Sequence, residues 1–217
     1  MRKLIEKYGQ LKWDKMNELF SFGNSKVPHL IINMDSAVTC RSKELGLCQL
    51  QDTNKCYAFK LERAFPSFHR KTKQMAFAWF CTNPDEFKEL FQIAVEYIKL
   101  SKSKKMKRLD IRYVRFNVSG DFRNDYDISK LNHIAYELPD VTFYGYTARK
   151  DLFTQSRMDT MEDNIVLNGS GFMLHNSFTA NQDGTLERGM YYKCAGDCAK
   201  CSICKVRSKS KTIVEMH

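Results

Sequence analysis

Long apolar runs are missing from this sequence. None approaches the ~20 residues that a membrane-spanning helix needs, and the first 13 residues are too polar for the core of a secretion signal. Both absences point to a cytoplasmic protein that makes no membrane contact. Proline and glycine are also scarce, at 4 and 10 of 217 residues, which excludes low-complexity and collagen-like classes. No internal repeat, no phosphate-cradling glycine loop and no Gly-x-Ser-x-Gly elbow is found, so phosphoryl-transfer and serine-hydrolase chemistry lack support. Carboxylates are outnumbered, with 25 Asp and Glu against 35 Lys and Arg, for a net charge of +10.

What is present is a core-forming composition, 43% apolar and 12% aromatic. It suits one domain, or one domain with a small appendage. The excess positive charge gathers in two runs. One is Lys99, Lys102, Lys104, Lys105, Lys107 and Arg108; the other is Lys205, Arg207, Lys209 and Lys211. A basic field of this kind attracts nucleic acid or an acidic partner protein. Each run also reads simply as a solvated loop or a loose tail. Oligomeric state leaves no mark on the sequence.

Hydropathy periodicity gives the element order. Residues 1–21 carry a helical stripe, 29–34 suit a first strand, and 57–65 look helical up to Pro66. The compact apolar run 75–82 reads as a buried strand. Asn83, Pro84 and Glu86 form a helix start, and Phe87, Leu90, Phe91, Ala94, Tyr97 and Ile98 follow on one face. Strands are expected at 109–119, 141–147 and 165–170, with a helix over 125–138 and a short one opening at Asp151. Strands alternating with helices favour a parallel sheet with helical crossovers. Its functional residues should then lie where the strands end, which brings Asn117, Ser119, Gly120, Asp121, Tyr146, Thr147, Arg149, Asn168, Ser170 and Cys40 to one edge.

The cysteines carry the chemistry. Eight are present, and disulfides are rare in the cytoplasm, so clustered thiols there point to metal. Cys194, Cys198, Cys201 and Cys204 fit four thiols into eleven residues. Such a run wraps a [4Fe–4S] cube well. Structural zinc is the competing reading, although it usually takes two cysteine pairs separated by a longer loop. Cys40, Cys48 and Cys56 are spaced more loosely, by seven intervening residues each time. Three thiolates on a cube would leave one iron open to a small molecule. Taken alone this group could hold zinc, a cluster or nothing, or the two groups could share a single cluster. Cys81, inside an apolar run, reads as a small buried hydrophobe.

Other polar residues have two readings. Asp121 could bind an amine or a ribose hydroxyl, or could cap a helix after a turn. Arg149 could hold a carboxylate or phosphate, or pair at the surface. His175 reads as a hydrogen-bonded structural histidine. Tyr191 and Tyr192, just before Cys194, are placed to shield a cluster from solvent.

Four segments together resemble a known family. They are 40–60, ending in Lys55, Cys56, Tyr57 and Ala58; 116–122, with Ser119, Gly120 and Asp121; 143–149, with Tyr146, Thr147 and Arg149; and the terminal cysteine quartet. In this order they are similar to the phage family named gene product 88, a radical S-adenosylmethionine-like family. The resemblance implies phage origin and therefore the host cytoplasm. It also implies an α/β fold with a mostly parallel sheet in a partial (βα) barrel over 1–190, including a cysteine loop at 40–56, followed by a cysteine-rich segment and basic tail over 191–217. One or two [4Fe–4S] clusters would sit on Cys40, Cys48, Cys56, Cys194, Cys198, Cys201 and Cys204. S-adenosylmethionine is the ligand implied if the protein is an enzyme, with Ser119, Asp121, Thr147 and Arg149 as the candidate cofactor-binding residues. The spacing typical of that superfamily, Cys-x3-Cys-x2-Cys, occurs here only at Cys194, Cys198 and Cys201. Non-catalytic roles, in binding nucleic acid or a host protein or in carrying electrons, are the alternatives.

Overall fold

The computed structural model describes residues 1–50, 55–181 and 189–215. Residues 51–54 of the expected cysteine loop and the last two residues of the basic tail lie outside the described residues. One eight-stranded open sheet runs through the chain, in the order β1-β2-β3-β4-β5-β6-β8-β7. Its strands are β1 (Ser21–Phe22), β2 (Leu30–Ile32), β3 (Tyr113–Phe116), β4 (Thr142–Thr147), β5 (Ile165–Ser170), β6 (Asn176–Asn181), β7 (Tyr192–Lys193) and β8 (Lys211–Glu215). Only β1 and β2 pair antiparallel; every other pairing is parallel. The mostly parallel α/β sheet expected from the alternating pattern is therefore present, and it is not closed into a barrel.

Helices α1 (Arg2–Tyr8) and α2 (Gln10–Leu19) replace the single helix expected over 1–21. Gly9 separates them at φ 87°, a conformation a β-carbon disfavours. After α3 (Arg41–Glu44) come α4 (Tyr57–Ala64) and α5 (Pro66–Cys81). Pro66 both stops one helix and opens the next, because the first helical turn does not need its missing N–H. Residues 75–82 are thus mostly helix, not the expected strand. Met75, Ala78 and Trp79 are buried while Phe77 and Phe80 face outward, a helical spacing hidden inside an unbroken apolar run. Cys81, at the end of α5, is exposed and not the buried hydrophobe expected.

Helix α6 (Pro84–Leu100) starts as the sequence predicts, with the Asn83 side chain accepting from Glu86 N at 2.8 Å. Helix α7 (Asp125–Glu137) and the short α8 (Gln155–Asp159) complete the helical layer. The core lies between helices and sheet. Leu30, Ile32, Val114, Phe116, Phe143, Ile165 and Leu167 meet Trp79, Phe87, Leu90, Ile128 and Leu131 there. Gly145 belongs to this face, opposite Phe116 in the register, and a β-carbon on it would sit 2.3 Å from the Phe116 ring.

The C-terminal basic run is not a loose tail. It leads into β8, which lies between β6 and β7. Three of its cations turn back on the protein. Arg207 reaches Asp163 at 3.0 Å and the carbonyl of Ile165 at 3.1 Å, Lys205 Nζ donates to Cys198 O at 2.9 Å, and Lys209 Nζ donates to Leu174 O at 3.0 Å. Among the described residues no helix is long and apolar enough to cross a membrane.

His175 is buried at the start of β6, where its Nδ1 accepts from Leu167 N at 3.1 Å, the structural role expected for it. Burial, reinforced by Arg207 and Lys209, pushes its pKa down from 6.5 to about 4. The folded state therefore favours neutral imidazole. Its stabilisation is complete above pH 6.5 and is lost as pH falls towards 4, on the order of 3 kcal/mol in full. Urea titrations between pH 7 and 4 should show this loss in the wild type and a flatter dependence in His175→Gln.

Candidate metal sites

The pleat of the sheet builds one side of the site. Along β3 and β4, Val114, Phe116 and Phe143 point to the helices, so Tyr113, Arg115, Tyr144 and Tyr146 point the other way. Register puts Arg115 beside Tyr144, and Tyr146 beside Asn168, which is itself beside Asn176. Among the described residues the nearest helical piece on this face is a single 3-10 turn, Ile203–Lys205, which packs on β4 and β5. The cysteine-rich segment lies over them.

Two asparagines pin that segment down. Asn168 Nδ2 donates to Cys204 O at 3.1 Å. Asn176 Nδ2 donates to Val206 O at 2.8 Å, and its Oδ1 accepts from the backbone N of Ser208 and of Ser210 at 3.1 and 3.2 Å. Cys198 N donates to Lys26 O at 2.8 Å and Cys194 N to Ile213 O at 2.8 Å, which fixes the other end. All four thiols of the quartet line one small cavity, with Tyr144, Tyr146 and Lys205 as the remaining large side chains. The Tyr144 hydroxyl faces Cys198, and the Tyr146 hydroxyl faces Cys204. The aromatic wall is therefore formed by these two sheet residues. Tyr191 and Tyr192, expected to shield the site, are not part of it, and Tyr192 is exposed.

Arg115 stands against this wall. One guanidinium nitrogen lies 3.9 Å from Cys198 Sγ, and the group stacks 5.2 Å from the Tyr146 ring centre. Its Nε is buried without a hydrogen-bond partner. Tyr146, Tyr57, Tyr144 and Cys198 are the ionisable groups that act on it most, and among the described residues it makes no ion pair with a carboxylate.

The second group of cysteines lies at the C-terminal edge of the sheet, as expected for the loop after β2. Cys40, Cys48 and Cys56 line a cavity of about 140 Å³ together with Asn117, Asp121, Tyr146, Thr147 and Ser170. Tyr146 thus borders both cavities, and the two cysteine groups sit on separate sites. The loop is held by buried Glu62 of α4, whose carboxylate accepts from Ala37 N at 2.9 Å, from Val38 N at 3.2 Å and from the Ser119 hydroxyl. Burial alone would push the Glu62 pKa up, but these bonds outweigh it and hold the group below the ordinary carboxylate range. Tyr57, the residue after Cys56, donates its hydroxyl to Val118 O at 2.8 Å.

The four candidate cofactor-binding residues part company. Asp121 and Thr147 line the three-cysteine cavity; Ser119 and Arg149 do not. Ser119 serves Glu62. Arg149 pairs with Asp151 at 2.8 Å and donates to the carbonyls of Phe122 and Arg123 at 2.6 and 2.9 Å, which shapes the chain after Asp121. Asp121 is buried, which pushes its carboxyl up to about 6 against the pull of hydrogen bonds that include the Ala148 and Phe122 amides at 2.7 and 2.8 Å. Beside it Asn117 adopts φ 54°, and its Oδ1 is buried with no donor. A non-glycine residue held in that region at a strand end is a common mark of a binding site.

All eight cysteines are free thiols. Burial pushes Cys40 up to about 11 and raises Cys48, Cys198 and Cys204 as well. Thiols in this state are poor nucleophiles. A bound metal is what would deprotonate them. The donor types, four sulfurs at the quartet and three at the sheet edge, are those that iron–sulfur clusters and zinc take. Among the described residues no group of three or more His, Cys, Asp or Glu stands in the arrangement that would hold a metal ion.

Asn176 and Arg115 are residues that the sequence did not single out, whereas Asn168 was expected at the sheet edge. Their polar character at strand positions facing away from the helices was the available signal. Asn176→Ala strands the acceptors and donors it now satisfies, at roughly 1–3 kcal/mol. Thermal unfolding should show that loss. Hydrogen exchange should localise it to residues 203–210.

A family model described as Gene product 88 matches residues 3–179. The match takes in the three-cysteine loop and the ends of β3, β4 and β5, and it stops before the quartet. Comparison with curated proteins and with solved structures finds no match. With more than half of its length matched, the chain belongs to the phage-type Gene product 88 family.

Proposed function

We propose that this chain is an iron–sulfur protein, with a [4Fe–4S] cluster on Cys194, Cys198, Cys201 and Cys204 and a second on Cys40, Cys48 and Cys56. One observation carries the reading: seven of the eight cysteines, from distant parts of the chain, line two adjoining cavities. Thiols whose pKa is raised by burial suit a structural or redox metal better than nucleophilic chemistry. Bound iron–sulfur would supply one-electron chemistry. The residues of this chain would orient a small molecule at the three-cysteine cavity, where Asp121 and Asn117 Oδ1 accept hydrogen bonds and Thr147 flanks them. S-adenosylmethionine is the ligand that the family resemblance suggests, and in that case the protein is an enzyme.

The exposed run of Lys102, Lys104, Lys105, Lys107 and Arg108 favours a second reading, a cluster-stabilised module that binds nucleic acid. The C-terminal cations contribute less to it, since three are turned inward.

Protein purified without oxygen should be brown and carry iron and sulfide in equal amounts, about eight of each per chain if both sites are filled with four-iron clusters. Alanine at Cys198 and Cys201 should halve both. Alanine at Cys40 and Cys48 should do the same and also abolish any change in the electron paramagnetic resonance spectrum on adding S-adenosylmethionine. Colourless protein, or zinc alone, overturns the proposal. For the second reading, DNA or RNA binding should weaken steeply with salt and fall when Lys102, Lys104, Lys105 and Lys107 become Gln; no binding at low salt removes it.

A further inference from the structure

A half-buried guanidinium without a carboxylate is an electrostatic anomaly. Removing a cation from water costs several kcal/mol unless an anion or a full set of acceptors replaces the lost hydration. Arg115 has neither. Its Nε lacks a partner, its nearest anionic candidate is Cys198 Sγ at 3.9 Å, and it is stacked on Tyr146. Neutral thiols would leave the charge uncompensated. A metal centre ligated by four thiolates would not, because such a centre carries net negative charge spread over its sulfurs. Lys205 lines the same cavity, but its Nζ is already engaged with the Cys198 carbonyl and lies 4.7 Å from the Tyr113 ring centre.

We infer that Arg115 is the counter-charge of the cysteine quartet: it holds the metal–thiolate centre through Cys198 and favours its more reduced, more negative state. The inference rests on the quartet binding a metal, whichever metal that is. Strand β3 supplies this residue, so the sheet contributes to the centre by charge and not by ligation. Tyr146 links the arrangement to the other cavity, since its ring carries the guanidinium and its side chain borders the three-cysteine site. Tyr57, half exposed, stands near the guanidinium with its hydroxyl donating to Val118 O.

The test uses the full chain with Arg115→Met, Arg115→Gln and Arg115→Lys, each compared with and without metal. Three quantities are read: the thermal midpoint of the metal-free protein, the rate at which a chelator strips the quartet, and the midpoint potential of the quartet centre in protein that also carries Cys40→Ala and Cys48→Ala. Without metal, Met and Gln should leave the midpoint unchanged or raise it, because an uncompensated cation has gone. With metal, both should lose it about tenfold faster, the change expected for one charge-assisted contact. Their potentials should move to more negative values, since a nearby positive charge favours reduction, and Lys should recover most of both effects. Unchanged stripping rates and potentials in the neutral variants overturn the inference. So does failure of both neutral variants to fold without metal, which would make the guanidinium a requirement of the sheet itself. If the wild type carries zinc alone, the iron–sulfur proposal falls, while the stripping rates still decide the role of Arg115.

Discussion

The two-residue alternation of β3 and β4 is the constraint on which the rest depends. It sends Val114, Phe116 and Phe143 into the helical core and, by the same geometry, sends Arg115, Tyr144 and Tyr146 to the opposite face. A slip of one residue in pairing would put a guanidinium among the helices and phenylalanines against the cysteines. Gly145 protects against that slip, because only a residue without a side chain fits beneath the Phe116 ring. Packing on one face of the sheet thus decides which polar groups reach the cysteines on the other.

The uncovered face is closed by chain that has little regular structure of its own. From Cys194 to Ser210 the segment is held by hydrogen bonds to Asn168 and Asn176, by strand β8 and by contacts through Lys26. The first cysteine loop follows the same logic, with Glu62 in the part that Asn176 plays for the second. Each thiol group is therefore held by buried polar side chains on rigid elements, Asn168 and Asn176 for the quartet segment and Glu62 for the first loop.

The strand–helix alternation was legible because β3, β4 and β5 combine β-branched and aromatic residues with clear boundaries. Residues 165–170 coincide with β5. The run 75–82 misled because consecutive apolar residues conceal their period, and only burial separates Trp79 from Phe80. Strands β6 and β8 were not legible. Asn176, Ser177, Asn181 and Lys211 give them a polar reading, and their pairing is bought by long-range contacts that no local pattern records. The cysteine groups were found from spacing alone. That they occupy separate cavities could not be found so, since it depends on which face of the sheet each loop crosses. Arg115 was hidden for a related reason: on a strand its charge looks like a solvent-facing residue until the covering segment is in place.

Strand β8 is made after the quartet yet lies between β6 and β7, so the order of synthesis differs from the order in the sheet. The four thiols leave the ribosome before the strand that locks their loop exists. During that interval they face Tyr144 and Tyr146 on one side only, with no strand to hold their segment against the sheet. Closure of the segment over these thiols therefore waits for β8 to pair with β6 and β7.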